Sequence, residues 1–163
     1  MIRWARRARM GLMVFEAALW LAIARFALFA LRFATLASFL DRPFAARETE
    51  EPRRGAQRRR IARAVDIAAG LLPGRTVCFP RGLAAFMMCR VRRIGSVLHY
   101  GAAVFPGEGM RAHVWLMDGN YGITGHSVAN AYCVLARFPS AIGPGVRVSV
   151  TDRNGEEENR SKT

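Results

Sequence analysis

Lysine is nearly missing from this chain of 163 residues: Lys162 stands alone, and arginine carries the cationic excess. Acidic residues are also scarce, 12 against 25 basic ones, which leaves a net charge of +13. Such an excess favours an acidic partner, whether anionic lipid, an acidic peptide or nucleic acid. The alternative is a coding preference for arginine with no partner attached. No aromatic-and-basic RNA motif and no zinc-finger spacing occurs, so nucleic acid is not expected. Cysteine is sparse and odd in number, with Cys78, Cys89 and Cys133 only. Three thiols do not make a disulfide framework, and without a CxxC pair a zinc site is not expected. A reducing, cytoplasmic setting follows, with no metal and no cofactor. Internal repeats are absent too.

Long uninterrupted apolar runs are missing from the N-terminal part. Residues 10–40 are strongly apolar, but Glu16, Arg25 and Arg32 leave no uncharged run longer than eight residues there. A spanning helix needs about 20 nearly uninterrupted apolar residues. Arginines flank both ends, which removes the one-sided bias of a single span. A signal peptide would have a shorter apolar region and a small-residue cleavage site. The stretch is therefore expected to form one long or two short packed helices. Contact with a membrane surface through 10–40 is an alternative use.

What is present is an apolar half sufficient for one core, with hydrophobic residues at 52%. Residues 1–56 read as a helical segment and linker, with Pro43, Pro52 and Gly55 in a mixed-charge connection. Residues 57–151 read as the core domain, and 152–163 as a polar, disordered tail. Ile61, Val65, Ala68 and Leu72 keep a helical period over 57–72, which Pro73-Gly74 ends. A second helix opens near Pro80, a residue suited to a first turn, and closes between Arg90 and Gly95. Strands then follow over 96–105, 111–117 and 121–124, with a hairpin turn at Asp118-Gly119. Residues 131–138 and 146–150 each suit a further short strand. Helices first and antiparallel strands after make an α+β fold.

The chemistry centres on Cys78. It stands at or just before a helix start, where unpaired N–H groups and the helix dipole favour a thiolate. Cys89 and Cys133 lie in apolar stretches and read as small buried hydrophobes. His113 stands on a strand, with Trp115 and Met117 on the same face. A helix-start cysteine followed by a strand histidine is the arrangement of thiol–imidazole catalysis. His99 reads as a core residue of its strand, and His126 as a solvated loop residue.

The run Pro73-Gly74-Arg75-Thr76-Val77-Cys78-Phe79-Pro80-Arg81-Gly82-Leu83-Ala84 resembles the cysteine block of the lasso-peptide leader peptidases, the transglutaminase-like maturation proteins. Arg111-Ala112-His113-Val114-Trp115-Leu116-Met117-Asp118-Gly119 is similar to their histidine block. Arg93-Ile94-Gly95 through Gly101 resembles the strand between these blocks, and Tyr132 to Pro139 the closing segment. The resemblance implies a papain/transglutaminase-like core and a cysteine peptidase that cuts the leader from a ribosomally made precursor. Cys78 would attack, and His113 would serve as base and then acid. The implied partners are the precursor peptide, a small leader-binding protein and a macrolactam cyclase. An acyl transferase with the same pair is an alternative, as is a non-catalytic basic scaffold. The family carries an orienting Asp on the strand after the hairpin. With an Asp118-Gly119 turn, Met117 pairs with Asn120 and His113 with Thr124, so Thr124 takes that position here. Met117 also stands where the family has a Glu.

Overall fold

A computed structural model describes residues 2–44, 46, 51–72 and 78–140. The strand expected at 146–150, the tail at 152–163 and Arg75 lie outside the described residues. Four helices come first: α1 (Ile2–Ala30), α2 (Phe33–Leu40), α3 (Glu51–Leu71) and α4 (Cys78–Val91). The strands β1 (Val97–Phe105), β2 (Gly109–Asp118), β3 (Tyr121–Thr124) and β4 (Cys133–Phe138) follow. All are paired antiparallel in the order β3-β2-β1-β4. The expected α+β architecture is the observed one.

The apolar N-terminal stretch forms a single helix of 29 residues, then α2 after an extended Arg32. α1 buries Ala17, Leu21 and Ala24, spaced to fall on one helical face. They share a core with Ile61, Val65 and Ala68 of α3, with Phe86 and Met88 of α4, and with Leu98, Val114 and Leu116 of the sheet. Glu16, one of the charges that interrupts the stretch, receives both terminal nitrogens of Arg92, at 2.7 and 2.5 Å. That pair ties α1 to the end of α4. From Arg7 to Ala30 the helix is also long and apolar enough to cross a membrane, by length and composition alone.

α3 starts at Glu51, six residues before the start of its expected span. Its first turns carry no apolar period because arginines hold them. Arg54 grips Asp118 with two nitrogens, one of them Nε at 2.7 Å. Arg58 adds a second ion pair to Asp118 at 3.2 Å. Asp118 is 3% exposed, so this is a buried charge cluster pinning the β2–β3 hairpin to α3.

That cluster corrects the hairpin register. Asp118 is the last paired residue of β2, opposite Tyr121, so the turn is Gly119-Asn120 rather than Asp118-Gly119. Gly119 takes the left-handed φ of 56° that the first turn position requires. A bulge follows: Met117 faces Gly122, and Leu116 faces Thr124. The expected strand over 131–138 is also shortened. Residues His126–Ala131 wind into a 3₁₀ turn, and β4 begins at Cys133.

Candidate active site

Cys78 is the first residue of α4 and half-buried, as the position of Pro80 implies. The leading N–H groups of a helix have no partner within it. Those of Cys78 and Phe79 lack a partner within α4, whereas Pro80 has no N–H to offer. The helix lies close on the sheet because residue 82 is glycine: a Cβ there would stand 2.7 Å from Val114 Cγ1 and 3.2 Å from Leu98 Cδ1. Phe79 beside the thiol packs edge-on to Tyr100, ring centres 6.5 Å apart, and Phe33 of α2 joins both.

The other cysteines divide. Cys89 is wholly buried, and burial pushes its thiol up to about 12, so it is an inert core residue. Cys133 was expected to be buried as well, but it is exposed. The apolar pattern of β4 misled because this edge strand turns most of its side chains to solvent.

His113 sits on β2, half-buried, with Nε2 donating to the carbonyl of Gly125 at 2.7 Å. A carbonyl only accepts, so Nε2 carries the proton and a neutral ring keeps its lone pair on Nδ1. Gly125 has a left-handed φ of 70°, and a Cβ there would lie 2.5 Å from Val114 O and 3.2 Å from His113 Nε2. The ring is stacked on Trp115 at 6.0 Å and tilted against Tyr132 at 5.0 Å. Trp115 in turn stacks on His99 at 5.4 Å. Burial holds His99 below the usual histidine range, with Arg137, its β4 neighbour, acting in the same direction.

Two expectations need correction. Thr124 does not orient His113. It pairs with Leu116 instead, is buried, and its Oγ1 has no hydrogen-bond partner among the described residues. The one-residue shift of the turn and the bulge move it away. The Gly125 carbonyl supplies the hydrogen bond in its place. Secondly, His113 does not face the thiol. Strand alternation turns Val114 toward α4, and His113 and Trp115 toward the opposite side of the sheet. Among the described residues, no hydrogen bond joins Cys78 to His113. Sequence reasoning missed Gly125 and Tyr132 because neither has a motif of its own. The signal was a glycine directly after a strand, where a left-handed bend brings its carbonyl back. His126 is exposed as expected, its ring lying over Gly122.

A helix-start thiol within an α+β core fits a cysteine-protease-like or acyltransferase-like fold. The chain belongs to the transglutaminase-like superfamily, whose family description matches residues 20–137. No curated protein and no solved structure shows significant similarity to it. The match starts inside α1, so residues 20–30 of that helix lie within the matched region.

Proposed function

We propose that this protein is a cysteine hydrolase that removes the leader from a ribosomally made lasso-peptide precursor. The observation that carries the reading is Cys78: a half-buried thiol on the first residue of a 14-residue helix, in a superfamily of cysteine-dependent enzymes. The Cys78 sulfur attacks the scissile carbonyl, and the thiol proton passes to His113 Nδ1. The first N–H groups of α4 receive the oxyanion. The C–N bond breaks as His113 returns the proton to the departing amine. Water then cleaves the thioester, giving the carboxylic acid and restoring the thiol. Because the thiol helix and the imidazole lie on opposite faces of the sheet, the reading requires β2 or the start of α4 to rearrange when substrate or the leader-binding partner docks. The β2 end that carries His113 is the uncovered end, with Met110, Arg111 and Ala112 exposed. Catalytic contacts that are open in a free enzyme often close only in the complex.

A second reading has its own observation. His113 lies on the sheet face away from α4, and its Nε2 is already bonded to Gly125. On that basis the chain would be a non-catalytic scaffold that binds a partner. Precursor, leader-binding protein and purified chain incubated together decide between them. Under the first reading Cys78→Ala and His113→Ala each abolish cleavage, with folding unchanged by circular dichroism. Cleavage by either variant at the normal rate refutes it. Mass spectrometry of the product separates a cut peptide from an acyl-transfer crosslink.

A further inference from the structure

α1 has two apolar faces. One packs into the core through Ala17, Leu21 and Ala24. The opposite face carries Leu12, Phe15, Leu19, Ile23 and Phe26, whose spacing of three and four residues aligns them in one stripe. Phe15 and Phe26 are each 71% exposed and Leu12 is 70% exposed, so no described part of the chain covers this face. Trp4 and Phe29 extend it at the two ends and are still more exposed. Beside the stripe, where α1 passes α3, an open cleft of about 1050 Å³ is lined by Arg7, Arg9, Arg59, Arg60 and Arg63. Leu12 borders both stripe and cleft. Among the described residues none of these five arginines forms an ion pair.

A long apolar stripe rich in Phe and Trp, with arginines along its edge, suits an amphiphilic, anionic surface. A second copy of the chain suits it poorly, because with 12 acidic against 25 basic residues it offers the cleft arginines few carboxylates. Spanning is disfavoured as well. The core face of α1 is packed against α3, so insertion would drag that arginine-rich helix into hydrocarbon or break the core. We propose that α1 lies in the plane of an anionic membrane surface. Its Leu12–Phe26 stripe sits at the acyl boundary, and the arginine cleft receives lipid phosphates.

The test is co-sedimentation of the full chain with vesicles of phosphatidylcholine alone, or mixed about 3:1 with phosphatidylglycerol. Binding to the anionic vesicles is expected to exceed binding to neutral ones at least roughly tenfold, and to fall steeply between about 0.1 M and about 1 M salt. Replacing Phe15 and Leu19 together by Glu should abolish it. The triple change Arg59→Gln, Arg60→Gln, Arg63→Gln should weaken it about a hundredfold. All five positions lie on exposed or cleft surfaces, so circular dichroism should stay unchanged. Equal binding to neutral vesicles, or none to either kind, overturns the proposal. So does binding that survives the Phe15/Leu19 change. A dimer in sedimentation velocity that the same change dissolves would assign the stripe to a second copy instead.

Discussion

At the scale of single residues, environment sorts three cysteines that composition leaves alike. Cys89 is sealed in the core with its thiol pushed up to about 12. Cys133 is open to solvent, and Cys78 is half-buried at a helix start. Iodoacetamide on the native protein near neutral pH should therefore modify Cys78 and Cys133 and spare Cys89 until denaturant is added. Peptide mapping by mass spectrometry reads this directly, and native labelling of Cys89 would contradict its burial. Gly125 is the other decisive residue. Alanine there meets both a strained φ and the Val114 carbonyl, so it displaces the acceptor that holds the His113 ring. If His113 is the base, Gly125→Ala should lower the turnover number by between roughly ten- and a hundredfold, with a smaller change in KM. Unchanged turnover would free the ring from dependence on this carbonyl. Cys78 was legible because proline marks a helix start. The tautomer of His113 was not, since it depends on a backbone carbonyl twelve residues on.

At the scale of elements, the Asp118 cluster joins α3 to the β2–β3 hairpin. Removing one partner of a buried ion pair strands the other charge without compensation. Asp118→Ala leaves Arg54 in that position, while Arg58 keeps its ion pair with Glu51, and should lower stability by about 3 kcal/mol in urea denaturation. A loss below about 1 kcal/mol would mean that water already screens the cluster. His99 makes the sheet sensitive to acid. Its folded pKa lies below its unfolded value, so the unfolded chain binds the extra proton first. Stability is thus complete above the ordinary histidine range and declines as pH falls below it. His99→Gln should flatten this slope between about pH 7 and about pH 5. Helix periods and strand alternation made these elements visible in advance. The start of α3 was hidden because ion pairs rather than apolar contacts secure it. The hairpin register was hidden because a glycine turn can slide by one residue, and only the burial of Asp118 decides where it stops.

At the scale of the whole molecule, α1 belongs to the one hydrophobic core rather than standing as an appendage. Leu21 is fully buried among α1, α3 and α4 side chains. Leu21→Ala should cost about 3 kcal/mol, and unfolding should remain a single transition by both circular dichroism and tryptophan fluorescence. Separate transitions for helix and sheet would split the molecule into two units. The same helix presents its opposite face outward, so one element serves folding on one side and contact on the other.

The amino-acid order alone determined the helices-then-strands layout, the helix start at Cys78 and the strand that carries His113. These depend on local signals: proline and glycine placement, and periods of 3.6 and 2 residues. Tertiary structure decided which side of the sheet each residue serves. Gly82 lets α4 settle on the Val114 face, so His113, one residue earlier, points to the other side and finds Gly125, Trp115 and Tyr132. It also moved Thr124 opposite Leu116, and set one face of α1 in the core while leaving the other bare. Each of these outcomes depends on contacts between segments distant in the chain, which no local pattern encodes.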